Sequence, residues 1–219
     1  MNVMLFGATG MVGQGVLREC LLAPDVERVL AVGRNATGQH HEKLTDLAVP
    51  DLFDLSAHDA ALSGFDACFF TLGVSAAGMS EEKYSRLTYD LTLSIATVLA
   101  RLDREMTFIY VSGQGTDSME HGRIMWARVK GRTENALLKL PFKAAYMFRP
   151  GVIVLLHGIK SRTSWYRALY AVATPMLPLL RRLFPRSVTT TEQMGRAMLS
   201  VARNGYSSRI LETSDITRF

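Results

Sequence analysis

Glycines at positions 7, 10 and 13 interrupt the opening stretch MNVMLFGATGMVGQG where an apolar run gives way to a helical pattern. That spacing suits a phosphate. Gly7 permits a tight turn, Gly10 lets the backbone approach a pyrophosphate with no Cβ in the way, and Gly13 lets helix and strand pack closely. Thr9, Met11 and Val12 lie between them, at the start of a helix whose unpaired N–H groups and positive dipole end face an anion. A plain tight turn would use such glycines too; the strand before and amphipathic helix after are what mark a dinucleotide loop. An acidic residue that accepts from an NAD ribose is expected about 20 residues further on, at the end of the second strand. The sequence there reads VLAVGRNATG, and Arg34 stands in the place. A guanidinium pairs with a 2'-phosphate and cannot accept from a hydroxyl, so NADP(H) is expected in preference to NAD. The bland alternative is a solvated surface arginine.

Apolar runs that could hold this loop recur along the chain: VMLF (3–6), VLAV (29–32), ACFFTL (67–72), FIYV (108–111) and AAYMF (144–148). Each reads as a strand buried on both faces. Helical patterns lie between them at 11–22, 80–102 and 125–140, with a short helix at 57–62 and a further possible strand at PDLF (50–53). Strand alternating with helix predicts an α/β fold, a Rossmann-type doubly wound parallel sheet. No linker divides the chain, so residues 1–219 read as one domain, with 155–219 contributing a small C-terminal helical lobe over the sheet's carboxyl edge. Within it, 164–185 is amphipathic and broken by Pro175 and Pro178, and Thr189 and Glu192 stand at capping-box spacing before a last helix.

Bulk properties bound the function. Residues 1–100 carry 6 Lys and Arg against 12 Asp and Glu, and residues 101–219 carry 19 against 8, giving the net +5. A basic half can meet an anionic ligand, a membrane surface or nucleic acid, or be a solvated face. With no nucleic-acid motif beside it, nucleic acid is not an expected partner. A membrane-surface contact near Arg181 and Arg182 is a lesser alternative to a lid or dimer contact. Cys20 and Cys68 suit buried reduced thiols, and no metal site is expected. The apolar run at the N-terminus ends at Gly7, unlike a secretory signal, which points to the cytoplasm.

Together GATGMVGQGVLRE, AVGR, DLFDL, TLGVS, FIYVSGQGTD, ARVKGRTE and FRPGVIV resemble the short-chain dehydrogenase/reductase superfamily, in its atypical NmrA-like and Tat-interacting-protein-like branch. They cover most of the chain in the family's order. The resemblance implies a nicotinamide cofactor across the sheet's carboxyl edge and homodimers through the two long helices. By the same resemblance Asp54 and Leu55 lie near adenine, Leu72 and Gly73 border the cofactor ribose, Pro150 and Gly151 lie nearest the nicotinamide, and Arg149 ends the last family strand. Lys130 would bond the nicotinamide ribose.

In the family a tyrosine four residues before this lysine exchanges the proton with substrate. Here WARVK puts Trp126 there, and an indole N–H does not titrate usefully. Ser112 and Thr116 remain as candidates for the family's catalytic hydroxyl. Trp126 could equally be core packing. His121, Tyr84 and Tyr166 are candidate replacements for the missing acid, each with a bland reading as loop or helix packing. Two functions follow: an NADP(H)-binding, redox-sensing or regulatory protein with weak or no standard reductase activity, serving a protein partner; or an NADPH-dependent reductase or epimerase-like enzyme acting on a small apolar carbonyl substrate with a relocated proton donor.

Overall fold

The computed structural model describes residues 1–159 and 187–219. Its strands, in chain order, are β1 (Asn2–Phe6), β2 (Arg28–Gly33), β3 (Leu44–Ala48), β4 (Ala67–Phe70), β5 (Thr107–Val111), β6 (Ala144–Arg149), β7 (Val152–Val154), β8 (Val188–Thr190) and β9 (Ile210–Glu212). Seven of them form one sheet in the order β3-β2-β1-β4-β5-β6-β9, with every neighbouring pair parallel. β7 and β8 pair in parallel beside it. The helices are α1 (Met11–Leu22), α2 (Asp59–Leu62), α3 (Glu81–Ser85), α4 (Leu91–Leu102), α5 (Met125–Leu137), α6 (Thr191–Asn204) and α7 (Thr213–Ile216). This is the doubly wound Rossmann-type α/β architecture that the alternating runs predict.

Why the central strands read as unbroken apolar runs is visible in β1. Val3 and Leu5 join a core with Leu17 of α1 and Met194 and Met198 of α6, whereas Met4 and Phe6 join another with Ile95 and Leu99 of α4. Period-two alternation sends neighbours to opposite faces, and helices cover both. The strand order reverses at β1, so the crevice at the carboxyl ends of β1 and β4 is the fold's topological switch point.

Several elements differ from the sequence reading. PDLF is no strand; the third strand is LTDLA at 44–48. It sits at the sheet edge with its residues half-buried or exposed, so it lacks the apolar run that betrays a central strand. The 80–102 helix is continuous but carries a π turn at Arg86–Asp90 between α3 and α4. The capping box lies one residue later than expected: Thr190 accepts from the Gln193 N–H, and the Gln193 side chain accepts from the Thr190 N–H. Thr189, in the strand, is wholly buried.

Much of the C-terminal region is built into the main domain. β9 adds to the sheet beside β6, and α6 lies along α1. Glycines set that close approach, one on each helix. A Cβ on Gly15 would come within 2.5 Å of the Thr191 Cβ, and one on Gly195 within 2.7 Å of the Glu19 Cγ. The amphipathic 164–185 segment, with Pro175, Pro178, Tyr166, Arg181 and Arg182, lies outside the described residues. Cys20 and Cys68 are buried free thiols, and burial pushes both thiol pKa values up.

Candidate functional site

The glycine turn follows β1 directly. Gly7 sits at φ +85°, in the left-handed region, and its carbonyl accepts from the Gly10 N–H at 2.8 Å. Gly10 caps α1 without a side-chain bond, and no acidic residue occupies the first turn. An anion at the first N–H groups of the helix would meet no acidic residue in that turn. Crowding explains the other glycines: a Cβ on Gly13 would lie 2.0 Å from the Gly7 carbonyl oxygen, and one on Gly7 2.7 Å from the Leu72 nitrogen. On Gly10 a Cβ would meet only the Gly7 oxygen, at 3.1 Å. That leaves open space beside the helix start, the kind of cradle a phosphate fills.

An open cleft runs from this turn to the end of β2, lined by Gly7, Thr9, Arg34, Thr37, Leu52 and Leu72 among others. Arg34 is exposed at its rim and makes no ion pair or hydrogen bond among the described residues. Its loop is held from beneath, because Asp46 of β3 accepts from the Thr37 backbone N–H at 3.0 Å and from its hydroxyl at 2.9 Å. An apolar wall of Leu52 and Leu72, a turn with free helix N–H groups and an exposed guanidinium could hold the adenosine end of a nucleotide.

The expected adenine neighbours are placed differently. Leu55 is core, and Asp54 lies outside the cleft lining, on the surface, where its carboxylate caps the following 3-10 turn through the Ser56 hydroxyl and N–H. Those bonds hold the Asp54 carboxyl below its ordinary range. Leu52, two residues before, lines the cleft instead; the signal for it is an apolar residue two positions after Pro50. Leu72 lines the cleft, and Gly73 beside it is exposed.

At the other end of the carboxyl edge, α5 carries Trp126, Lys130 and Glu134 at four-residue spacing, hence on one face. Lys130 Nζ donates to the Ser112 carbonyl at 2.6 Å and lies 5.8 Å from the Tyr110 ring centre. Burial pushes its pKa down to about 8, against the opposing pull of Glu134. Trp126 is half-buried, and a Cβ on Gly115 would touch its ring at 3.7 Å. It thus borders the loop after β5. That loop is clamped onto α5 at Gly131, where a Cβ would lie 1.7 Å from the Asp117 carbonyl oxygen. The Asp117 carboxylate, kept below its ordinary range by the Gly122 and Met119 N–H groups among others, closes the loop on itself.

Both candidate hydroxyls are already engaged. Ser112 is buried and its hydroxyl bonds Glu134 Oε1 at 2.5 Å; the Thr116 hydroxyl donates to the Gly113 carbonyl at 2.7 Å. The loop after β5 meets the end of β6, since the Gln114 N–H donates to the Pro150 carbonyl at 2.9 Å, while the Gly151 N–H is held by Thr213. Of the suggested replacement acids, Tyr84 is buried in α3, His121 is an exposed loop residue and Tyr166 lies outside the described residues.

Sequence reasoning gave no role to Glu134. It is fully buried, and Arg149, at the end of β6, grips both its oxygens through Nε and Nη2. The same guanidinium reaches Ser118 at 2.5 Å and Glu212 at 3.3 Å. The available signal was an acid one turn beyond Lys130 on the buried face of α5, together with a cation ending an apolar strand; each needs a partner. Among the described residues no group of three His, Cys, Asp or Glu could hold a metal, and no helix is long and apolar enough to cross a membrane.

No family model matches the chain. Among curated proteins it is 30% identical over 159 residues to protein fmp52, mitochondrial, of Emericella nidulans, covering 69% of this chain and 66% of that protein. It is 27% identical over 155 residues to protein HTATIP2 of Rattus norvegicus, covering 70% of this chain and 63% of the relative. The matches thus span a little under two thirds of these relatives' length. Among solved structures, the Bordetella bronchiseptica enzyme WbmF in complex with NAD+ superposes with a TM-score of 0.66 over 99% of this chain and 76% of that one. Identity there is 14%, so the likeness speaks for the fold.

Proposed function

We propose that the chain is a member of the atypical short-chain dehydrogenase/reductase superfamily that binds NADP(H) and works as a redox-sensing or regulatory protein with weak or no standard reductase activity. One observation carries this reading. The glycine turn and the cleft beside it would seat a nucleotide, whereas the α5 face that presents Lys130 offers Trp126 one turn earlier, and the Ser112 hydroxyl is spent on Glu134. The loop from Gly7 to Gly13 would hold the pyrophosphate, Arg34 the 2'-phosphate, Leu52 and Leu72 the adenine, and Lys130 the nicotinamide ribose, with Pro150 and Gly151 beside the ring. When bound, the cofactor supplies hydride chemistry; the residues around it here bind and orient.

Substituting Trp126→Tyr tests the reading. We expect wild type to oxidise NADPH with a panel of small apolar carbonyl compounds at rates close to the protein-free background. The tyrosine variant is expected to gain on the order of 10²-fold, the usual contribution of a positioned acid. Wild-type turnover at ordinary enzyme rates sinks the regulatory reading.

Cofactor choice rests on Arg34. Losing a charge-assisted bond of about 1.5–3 kcal/mol should weaken NADP binding of Arg34→Ser about 10- to 100-fold and leave NAD binding within about threefold. Calorimetry reads both. Equal affinity of the wild type for the two cofactors would remove the preference.

A second reading, an NADPH-dependent reductase or epimerase-like enzyme with a relocated donor, draws on Lys130. An amine whose pKa stands at about 8 can exchange a proton near neutrality. Its partner would be a small apolar carbonyl substrate, where the regulatory reading takes a protein partner. Both readings take a homodimer, without nucleic acid, in the cytoplasm. The fungal relative carries a mitochondrial designation, so cell fractionation is the measurement that would move the protein elsewhere.

A further inference from the structure

Lys130 and Glu134 stand one helical turn apart on α5 and grip the same residue. The Ser112 carbonyl takes the lysine at 2.6 Å, and the Ser112 hydroxyl binds the glutamate at 2.5 Å. Glu134 is 0% exposed and is held by Arg149, itself 8% exposed, whose remaining donors reach Ser118 and Glu212. Resting on the reading of this edge as an NADP(H) seat, we propose that Glu134 is a positioning residue for the cofactor: it offsets the Arg149 charge and fixes Ser112, and so keeps Lys130 cationic with N–H donors left for the ligand.

The chemistry follows from the donor count. An ammonium carries three N–H groups, and among the described residues one of them is taken, by the Ser112 carbonyl. Burial works against the charge and Glu134 works for it. The titratable or charged groups around α5 include Tyr110 on β5, Tyr84 and Glu81 on α3, Tyr89 in the π turn, Glu120 in the loop after β5, Arg149 on β6 and Glu212 at the end of β9. Glu81 is paired with Arg128, Tyr89 lies under Arg132, and Glu120 accepts from Asn135. Glu212 is about half exposed and touches only the far side of the guanidinium, at 3.3 Å. Replacing Glu134 by glutamine keeps the shape and a hydrogen-bonding oxygen. It also removes the Glu134 pull that favours the lysine charge, and leaves Arg149, which binds residue 134 one helical turn from Lys130, an incompletely balanced cation. Like charge and desolvation then act together to strip the lysine of its proton.

NADPH affinity measured by calorimetry between pH 6.5 and 9.5 reads this directly. For wild type we expect binding to weaken as pH rises through about 8. In Glu134→Gln the midpoint should fall by about one pH unit or more, with affinity at the acid end within about threefold of wild type. Removing both charges in Glu134→Gln with Arg149→Met should return the midpoint close to the wild-type value, because no unbalanced cation remains. A uniform loss at every pH, or an unmoved midpoint, overturns the proposal and leaves Glu134 a purely structural group. If the single variant fails to fold, the double variant carries the test, and a lowered midpoint in it is the overturning result. Wild type also provides a control that needs no variant: above pH 8, binding should take up a fraction of a proton, read from the heat in buffers of different ionisation enthalpy. No uptake overturns the proposal as well. Failure of wild type to bind NADPH at any pH would sink the cofactor reading itself, whereas binding with an unmoved midpoint sinks the role of Glu134 alone.

Discussion

Gly13→Ala is expected to cost about 3 kcal/mol of stability and to abolish measurable NADP binding. The added Cβ would stand 2.0 Å from the Gly7 carbonyl oxygen and 2.6 Å from its carbon, both backbone atoms that no rotamer change can move. Either α1 lifts off β1 or the turn opens, and overpacking of that kind costs about 1–3 kcal/mol or more. For a domain this size the melting temperature should drop by about 6–12 °C. The informative companion is Gly10→Ala. Its Cβ would meet a single atom at 3.1 Å, and the backbone there is extended, with φ −78°, so stability should change by less than about 1 kcal/mol. The methyl group nevertheless enters the space where the phosphate would rest, and binding should fall at least about 100-fold. Thermal melts with and without cofactor separate the two effects. If Gly10→Ala binds NADP as wild type does, the cradle has been assigned to the wrong ligand.

Arg149→Met is expected to be the other severe substitution. It strands Glu134, a carboxylate with 0% exposure, with the Ser112 hydroxyl as its main remaining donor. Breaking a buried pair from one side costs about 3–5 kcal/mol, because the orphaned charge stays in a low-dielectric site. Chemical denaturation of the single variant and of a double variant measures the part of the loss that is charge. Adding Glu134→Gln should recover part of the loss, since the uncompensated charge is gone. No recovery in the double variant would mean that the pair contributes packing and little charge.

What could be read in advance depended on whether a residue's role lay within its own segment. β1, its glycines and α1 are contiguous, and the periodicity that buries Val3 and Met4 on opposite faces is written in the apolar run itself. β3 was missed because an edge strand needs no such run, and LTDLA carries an aspartate whose partner, Thr37, lies in the preceding loop. The Thr190 cap was placed one residue early, since three consecutive threonines offer nearly the same local pattern and only the buried packing of Thr189 decides between them. In the site, Arg34 follows from its position after a strand. The engagement of the Ser112 hydroxyl does not, because Glu134 and Arg149 meet it from two other elements. Contacts across the sheet leave no trace in local spacing.

The glycine-mediated crossing of α1 and α6 sets an order of events during synthesis. Glu19 and Arg196 bond at 3.3 Å although 177 residues separate them in the chain. The helix that presents the anion seat leaves the ribosome well before its packing partner. Until α6 arrives, the apolar flank of α1 and the strand faces beneath it stay uncovered, a long-range closure of the kind that folds slowly and attracts aggregation. Newly made chains should accordingly depend on chaperones until α6 is released.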